Sequence, residues 1–179
     1  MACKLTNNIK KSNCEYQLAG VARLYVFNFS TETTYTLGTN NVIEKIELPT
    51  GDKVYSLDFI DNTASWSDDL AVNGNGGKYR THTLNFTLSD YDYNLLNQGD
   101  ALSLGKFTAV VVDKSGRSIC LGRINGLSAT SFNYASGTAD ADANGWTTVM
   151  ASTETETGRL LKDESVVKSL LAEDVQIVP

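Results

Sequence analysis

Lys53-Val54-Tyr55-Ser56-Leu57-Asp58-Phe59-Ile60 is the clearest instance of a pattern that runs through the whole chain. Successive side chains of an extended backbone point to opposite faces, so Tyr55, Leu57 and Phe59 share one side while Ser56 and Asp58 share the other. One apolar face and one polar face predict a half-buried strand. The same alternation predicts strands over Gly20 to Phe29, Val42 to Leu48, Tyr79 to Leu88, Lys106 to Asp113, Arg117 to Ile124, Leu127 to Tyr134 and Trp146 to Thr153. About eight strands make the load of a β-sandwich or barrel.

Between these runs lie residues that suit tight turns. Asp113-Lys114-Ser115-Gly116 is expected to close a hairpin, and Asn125-Gly126 and Asn144-Gly145 are dipeptides that tolerate positive φ. Two segments depart from the β pattern. Ser89 can cap a short helix with Asp90 and Asp92 in its first turn, where carboxylates meet the positive end of the dipole, and Gly99 is placed to stop it. From Asp163 to Glu173, Val166, Val167, Leu170 and Leu171 form an apolar stripe that should dock a C-terminal helix on the sheet. The expected fold is therefore mainly β, a sandwich or barrel with one short flanking helix and a short C-terminal helix. With only Pro49 and Pro179 and no shift in composition, residues 1–179 read as one domain, with an N-terminal segment 1–19 and a C-terminal helix and tail 163–179.

At 179 residues such a domain can bury roughly 70% of its unfolded surface, enough for a core without staples. No apolar run approaches the ~20 residues that span a bilayer, so no membrane anchor is expected. Met1 to Lys11 is polar and basic and reads as a cytoplasmic start without a secretory signal. Cys3, Cys14 and Cys120 are an odd number with no C-x-x-C pair, which points to free thiols and away from a zinc site or disulfide framework. A net charge of −6 argues against phosphate-backbone binding, which needs cations to displace counterions.

Catalytic and metal motifs are weak. His82 is the lone histidine, set in the alternating run with Leu84, Phe86 and Leu88, and no nucleophile elbow, H-E-x-x-H or dinucleotide turn is present. Gly76-Gly77-Lys78 fails as a phosphate loop because Tyr79 stands where Ser or Thr would hold magnesium. Asp140-Ala141-Asp142-Ala143-Asn144-Gly145 opens like a calcium loop, but its twelfth position is Ala151 where a bidentate Glu is required. No catalytic residue, cofactor or metal is expected.

Asn62 to Lys78 is the longest irregular stretch, ending in Asn73-Gly74-Asn75-Gly76-Gly77, a run that cannot hold one conformation cheaply. Two readings share this stretch: Thr63 to Val72 and Tyr79 to Leu88 as arms of an extended hairpin with that run as a mobile tip, or a floppy surface loop. Trp66, Asp68, Asp69 and Asn73 to Gly77 are thus candidates for self-assembly. Val175 and Ile177 join them because the apolar tail Asp174 to Pro179 can add as a strand to a neighbouring edge or lie against its own domain.

From Ala101 to Ala151 the order of motifs is more specific. Leu104-Gly105-Lys106-Phe107 leads into an apolar strand, Ser115-Gly116 turns, and Leu121-Gly122, Asn125-Gly126-Leu127 and Ser136-Gly137-Thr138 follow. Asp142-Ala143-Asn144-Gly145-Trp146 then opens another strand. This succession resembles the tail tube (major tail) proteins of long-tailed bacteriophages, particularly of Bacteroidetes-type hosts, over roughly Tyr55 to Thr155. The N-terminal 50 or so residues carry no part of the likeness.

The resemblance implies a virion protein of the phage tail, made in the host cytoplasm, whose copies close into hexameric rings that stack into a tube. Its implied partners are further copies, the tape-measure protein, and the tail terminator and tip proteins, with genome DNA in transit through the channel. Six copies at −6 each would carry about −36 per ring, and whatever part faced the bore would repel DNA. Two other expectations share the composition: another phage structural protein such as a head-tail connector or decoration protein, and a carbohydrate-binding β-sandwich module using Trp66, Trp146, Tyr91 and Tyr93 as stacking faces.

Overall fold

A computed structural model describes residues 8–9, 18–89, 91, 93–139 and 142–173. In chain order the elements are β1 (Val21–Asn28), β2 (Thr34–Leu37), β3 (Ile43–Glu47), β4 (Tyr55–Leu57), β5 (Ser65–Val72), β6 (Lys78–Leu88), α1 (Tyr93–Leu104), β7 (Lys106–Asp113), β8 (Ser118–Leu121), β9 (Leu127–Ala135), β10 (Gly145–Glu154), β11 (Arg159–Leu160) and α2 (Ser165–Lys168). The strands pair antiparallel. Nine of them form one sheet in the order β11-β8-β7-β9-β10-β6-β5, with β1 on the far side of β7 and β4 on β1, while β2 and β3 form a separate hairpin. The sheet ends on open edges, so the fold is mainly β and no barrel closes.

The amino-acid pattern explains the layering. Strand β7 is buried at every position from Phe107 to Asp113, the mark of a strand covered on both faces. Its Phe107, Ala109 and Val111 enter a main core with Leu24 and Val26 of β1, Leu84, Phe86 and Leu88 of β6, and Met150 of β10. Val110 and Val112 point the other way, into a second core with Tyr25, Phe27, Ile43, Ile46, Leu161 and Val167. The large sheet thus folds back so that β9, β10, β6 and β5 face β1 and β7 across the main core. The β2–β3 hairpin and α2 cover the outer face of β1 and β7.

Local chemistry fixes the turns. Asp113 Oδ1 accepts the N–H groups of Ser115 and Arg117, both at 2.9 Å, and Gly116 takes φ +83°, closing the β7–β8 hairpin as its sequence predicts. Three expected boundaries shift. The strand expected from Lys53 to Ile60 is formed only over Tyr55–Leu57, preceded by an isolated bridge at Val54, although Leu57 and Phe59 do pack on the main core as the alternation requires. Gly99 does not end α1, which runs on to Leu104; Asp90 and Asp92 lie outside the described residues. Gly99 sits where the helix crosses β9, and a Cβ there would stand 3.2 Å from the Phe132 ring, so the glycine serves close packing. The C-terminal helix shrinks from the expected 163–173 to four residues, because Leu171 leaves it to bridge Val54 in parallel and edge pairing wins over further helical turns.

Candidate assembly surface

The β5–β6 hairpin is the most prominent feature outside the cores. Its arms pair in unbroken register from Ser65 opposite Asn85 to Val72 opposite Lys78, which decides for the hairpin over the floppy loop that the sequence left open. Strand β6 is anchored by β10 on its other side, whereas β5 pairs only with β6 among the described residues. Every second N–H and C=O along β5 therefore faces outward as an open edge, a template that another strand can extend.

The tip is more ordered than its glycine content predicts. Asn73 Oδ1 accepts the N–H groups of Asn75 (3.1 Å) and Gly77 (2.8 Å), and main-chain bonds join Asn73 to Gly76 and Gly77. Gly76 takes φ +79°, which a side chain would resist, and nothing lies within 4 Å of a Cβ built on Gly74 or Gly76, so the turn projects into open space. One asparagine side chain thus supplies the order that the glycines lack.

The remaining hairpin candidates divide by face. Trp66, Asp68, Leu70 and Val72 share the face that looks toward the main core. Trp66 packs on that core and is no free anchor. Asp68 is also committed internally: its carboxylate takes Arg80 Nε at 2.7 Å and Gly158 N–H at 2.9 Å. Burial opposes ionisation of Asp68, yet these bonds outweigh it and hold the carboxyl below its ordinary range. Asp69 lies on the opposite, solvent face and, among the described residues, accepts only the Ser67 hydroxyl, at 2.7 Å. Beyond the core, Leu70 and Val72 continue the apolar side with 57% and 59% of their surface exposed. Sequence reasoning passed over these two, although the series Trp66-x-Asp68-x-Leu70-x-Val72 already carried the alternation. Val175 and Ile177 lie outside the described residues.

A polar network anchors the hairpin base. His82 is buried; Gly122 N–H donates to its Nδ1 at 3.3 Å, which leaves Nε2 as the donor toward the Glu156 carbonyl at 3.1 Å. With both nitrogens engaged by main chain, the ring has no lone pair to offer a substrate. Glu156 receives Arg123 through two bonds and Arg159 through another; burial works against its charge, but the guanidiniums keep its carboxyl below the usual range. Glu154, wholly buried, accepts the N–H groups of Ile124 and Asn125 at 3.0 and 3.1 Å. These carboxylates hold loops and assemble no acid, base and nucleophile.

The other sequence candidates resolve in the same way. Asp142 accepts the N–H groups of Thr138 and Ala139 and the Thr138 hydroxyl, so it ties its own loop, and no cluster of three metal-capable side chains occurs among the described residues. Asp140 and Ala141 lie outside them. Trp146 is sandwiched between Phe132 at 4.6 Å and Tyr91 at 5.5 Å, both near parallel, so neither of its faces is free for a sugar ring. The Tyr93 side chain, Cys3 and Cys14 are outside the described set. Cys120 is a buried free thiol, pushed up to about 12 by burial.

A cleft of about 760 Å³ opens between α1, β1 and β4, floored by Val26, Leu57, Leu102 and Phe107, with Ala172 and Glu173 on its lip. Among the described residues it contains no convergent set of charged groups. No family model matches this chain, and no curated protein or solved structure matches it.

Proposed function

We propose that this chain is a structural virion protein whose copies join into hexameric rings stacked as the tail tube of a long-tailed phage, the conduit for its genome. The observation that carries the reading is the projecting β5–β6 hairpin, which combines an eight-residue open edge with the exposed pair Leu70 and Val72. An isolated domain gains nothing from leaving such an edge unpaired, and natural monomers blunt theirs. A neighbouring copy that offers a different surface to this hairpin makes a head-to-tail contact, and repetition of that contact closes a ring or extends an array. The order of motifs from Ala101 to Ala151 supports the same reading, and the engaged His82 and the tied carboxylates favour a structural role over a chemical one.

The tape-measure protein would occupy the bore during assembly, the terminator and tip proteins the two ends, and DNA would pass without specific contacts. Negative-stain electron microscopy of the purified protein over a concentration series tests the proposal. Long hollow tubes are the expected product; rings that never stack would point to a connector, and monomers at every concentration would overturn the reading.

A further inference from the structure

The β5–β6 hairpin needs a counterpart, and the side chains beside its exposed pair narrow what that counterpart can be. Residues opposite one another in an antiparallel pair share a face, so Lys78 stands beside Val72, and Arg80 beside Leu70. Arg80 is bound to Asp68 at 2.7 Å, whereas Lys78 is exposed and makes no ion pair among the described residues. The projecting face is thus two aliphatic side chains with one unengaged cation next to them. The chain's own cleft does not receive them, since both aliphatic side chains stay exposed in the single copy.

The cleft between α1, β1 and β4 has the complementary make-up. Val26, Leu57, Leu102 and Phe107 give it an apolar floor, partly exposed Tyr55 also lines it, and its volume is about 760 Å³. Clefts of about 300–1,000 Å³ hold drug-sized molecules, which are larger than two aliphatic side chains. Among the described residues that line it, Glu173 is the single charged one; it lies on the lip, exposed and without an ion pair.

We propose that this cleft is the receptor for the hairpin of a second copy, with Leu70 and Val72 on its apolar floor and Lys78 against Glu173 at the lip. The inference rests on the assembly reading above and deepens it by naming the surface that a neighbour offers. A second copy is the occupant because each surface supplies what the other lacks. Apolar meets apolar, and the one free cation meets the one free carboxylate, so neither charge is left against a bare apolar surface. The two patches lie on different parts of the chain, so every copy gives a hairpin and receives one, as propagation from copy to copy requires. The affinity comes mainly from the two aliphatic side chains as they leave water, while the ion pair at the rim fixes orientation.

Charge reversal tests the pairing, read as the critical concentration for polymerisation in light scattering. Lys78→Glu sets carboxylate against carboxylate and Glu173→Lys sets ammonium against ammonium, and each alone should raise that concentration about fivefold or more. An equimolar mixture of the two variants should return it to near the parent's, because alternating copies again join opposite charges at every contact. Joining Lys78→Glu to Asp100→Lys in one chain is the control: Asp100 is exposed on α1 and does not line the cleft, so the net charge is recovered without the pair and the raised value should persist. Ala101→Trp, which fills the cleft from α1, should also raise the critical concentration while urea unfolding of the dilute protein stays near the parent's. A mixture no better than its components, beside a parent that polymerises, would overturn the docking and leave the assembly reading standing; a parent that is monomeric at every concentration would overturn both. Recovery in the Asp100→Lys control would make bulk charge the cause and overturn the docking. So would an Ala101→Trp chain that is less stable as a monomer yet polymerises as the parent does, since the cleft would then be filled from within the chain.

Discussion

Truncating Leu70 and Val72 together to alanine separates assembly from folding. The change removes the isopropyl group of one side chain and both methyls of the other, together about 4 kcal/mol of transfer free energy at about 0.8 kcal/mol per carbon. Only the part still exposed in the single chain can be gained on assembly. With 57% and 59% of these residues exposed, a little over half remains, about 2.3 kcal/mol per contact. At about 1.4 kcal/mol per factor of ten, the double variant should raise the critical concentration for polymerisation about 50-fold.

The folded monomer should lose less, at most the remaining part of the same transfer free energy, about 1.7 kcal/mol. The critical concentration is read by sedimentation or light scattering, with urea unfolding of the dilute protein alongside. An unchanged critical concentration would refute the reasoning. An equal loss of monomer stability would also refute it, since the two side chains would then be part of the fold and not a contact held in reserve.

Deleting Asn73 to Gly77 should abolish polymerisation while the far-ultraviolet circular dichroism and melting of the monomer stay near the parent's; normal tubes from the deleted chain would remove the tip from the contact. Gly145→Ala places a Cβ 2.5 Å from the Leu88 carbonyl at a φ of +140°, so it should cost about 2 kcal/mol or more in urea unfolding. Glu164 is bonded by Arg23 and Lys168 and by the Tyr25 hydroxyl at 2.7 Å; burial opposes its charge, but these partners bring its carboxyl down to about 2. A lowered carboxylate adds stability above its unfolded value near 4.5, and that stability disappears as the pH falls toward 2. Glu164→Gln should therefore cost about 1 kcal/mol at pH 7, discounted because Arg23 is half exposed, and progressively less as the pH falls through 2. A cost independent of pH would show that the ion pairing is not its source.

How much of this was legible in the sequence varied with how local the cause is. Strand β7 was read to the residue because a continuous apolar run with a Ser-Gly turn after it leaves no other choice. The β5–β6 hairpin was only half legible, because the glycine-rich run between its arms suits a floppy loop as well as a turn until the pairing of the arms is known. Gly99 misled because a helix-stopping glycine and a close-packing glycine look alike until the partner, Phe132, is known. The C-terminal helix was overestimated for a related reason: the stripe Val166, Val167, Leu170 and Leu171 fits helical spacing, but the free border of β4 competes for Leu171 and lies more than a hundred residues away. Asp68 was read as a self-assembly candidate for the same want of distant information, since Gly158, which bonds it, belongs to a distant part of the chain.

The charge argument also changes once faces are assigned. The outward side of β6 carries Thr81, Thr83, Asn85 and Thr87, opposite Thr153, Ala151, Val149 and Thr147 of β10, with Ser65, Ser67 and Asp69 of β5 alongside. On this broad surface of β5, β6 and β10, Asp69 is the single carboxylate, so little of the chain's −6 resides there. If this face lines a bore, repulsion contributes little and what matters is that lysine and arginine are missing: polyanion affinity grows with the number of cations that displace counterions, and here that number is zero. The two accounts make opposite demands on mutation. Under repulsion, Asp69→Asn should make assembled particles bind DNA; under absence of cations it should do nothing, while Thr83→Lys should create binding that weakens steeply with salt. Measuring DNA retention by assembled particles of both variants at about 50 and 200 mM salt decides between them, and retention by the Asp69→Asn particles alone would restore repulsion as the cause.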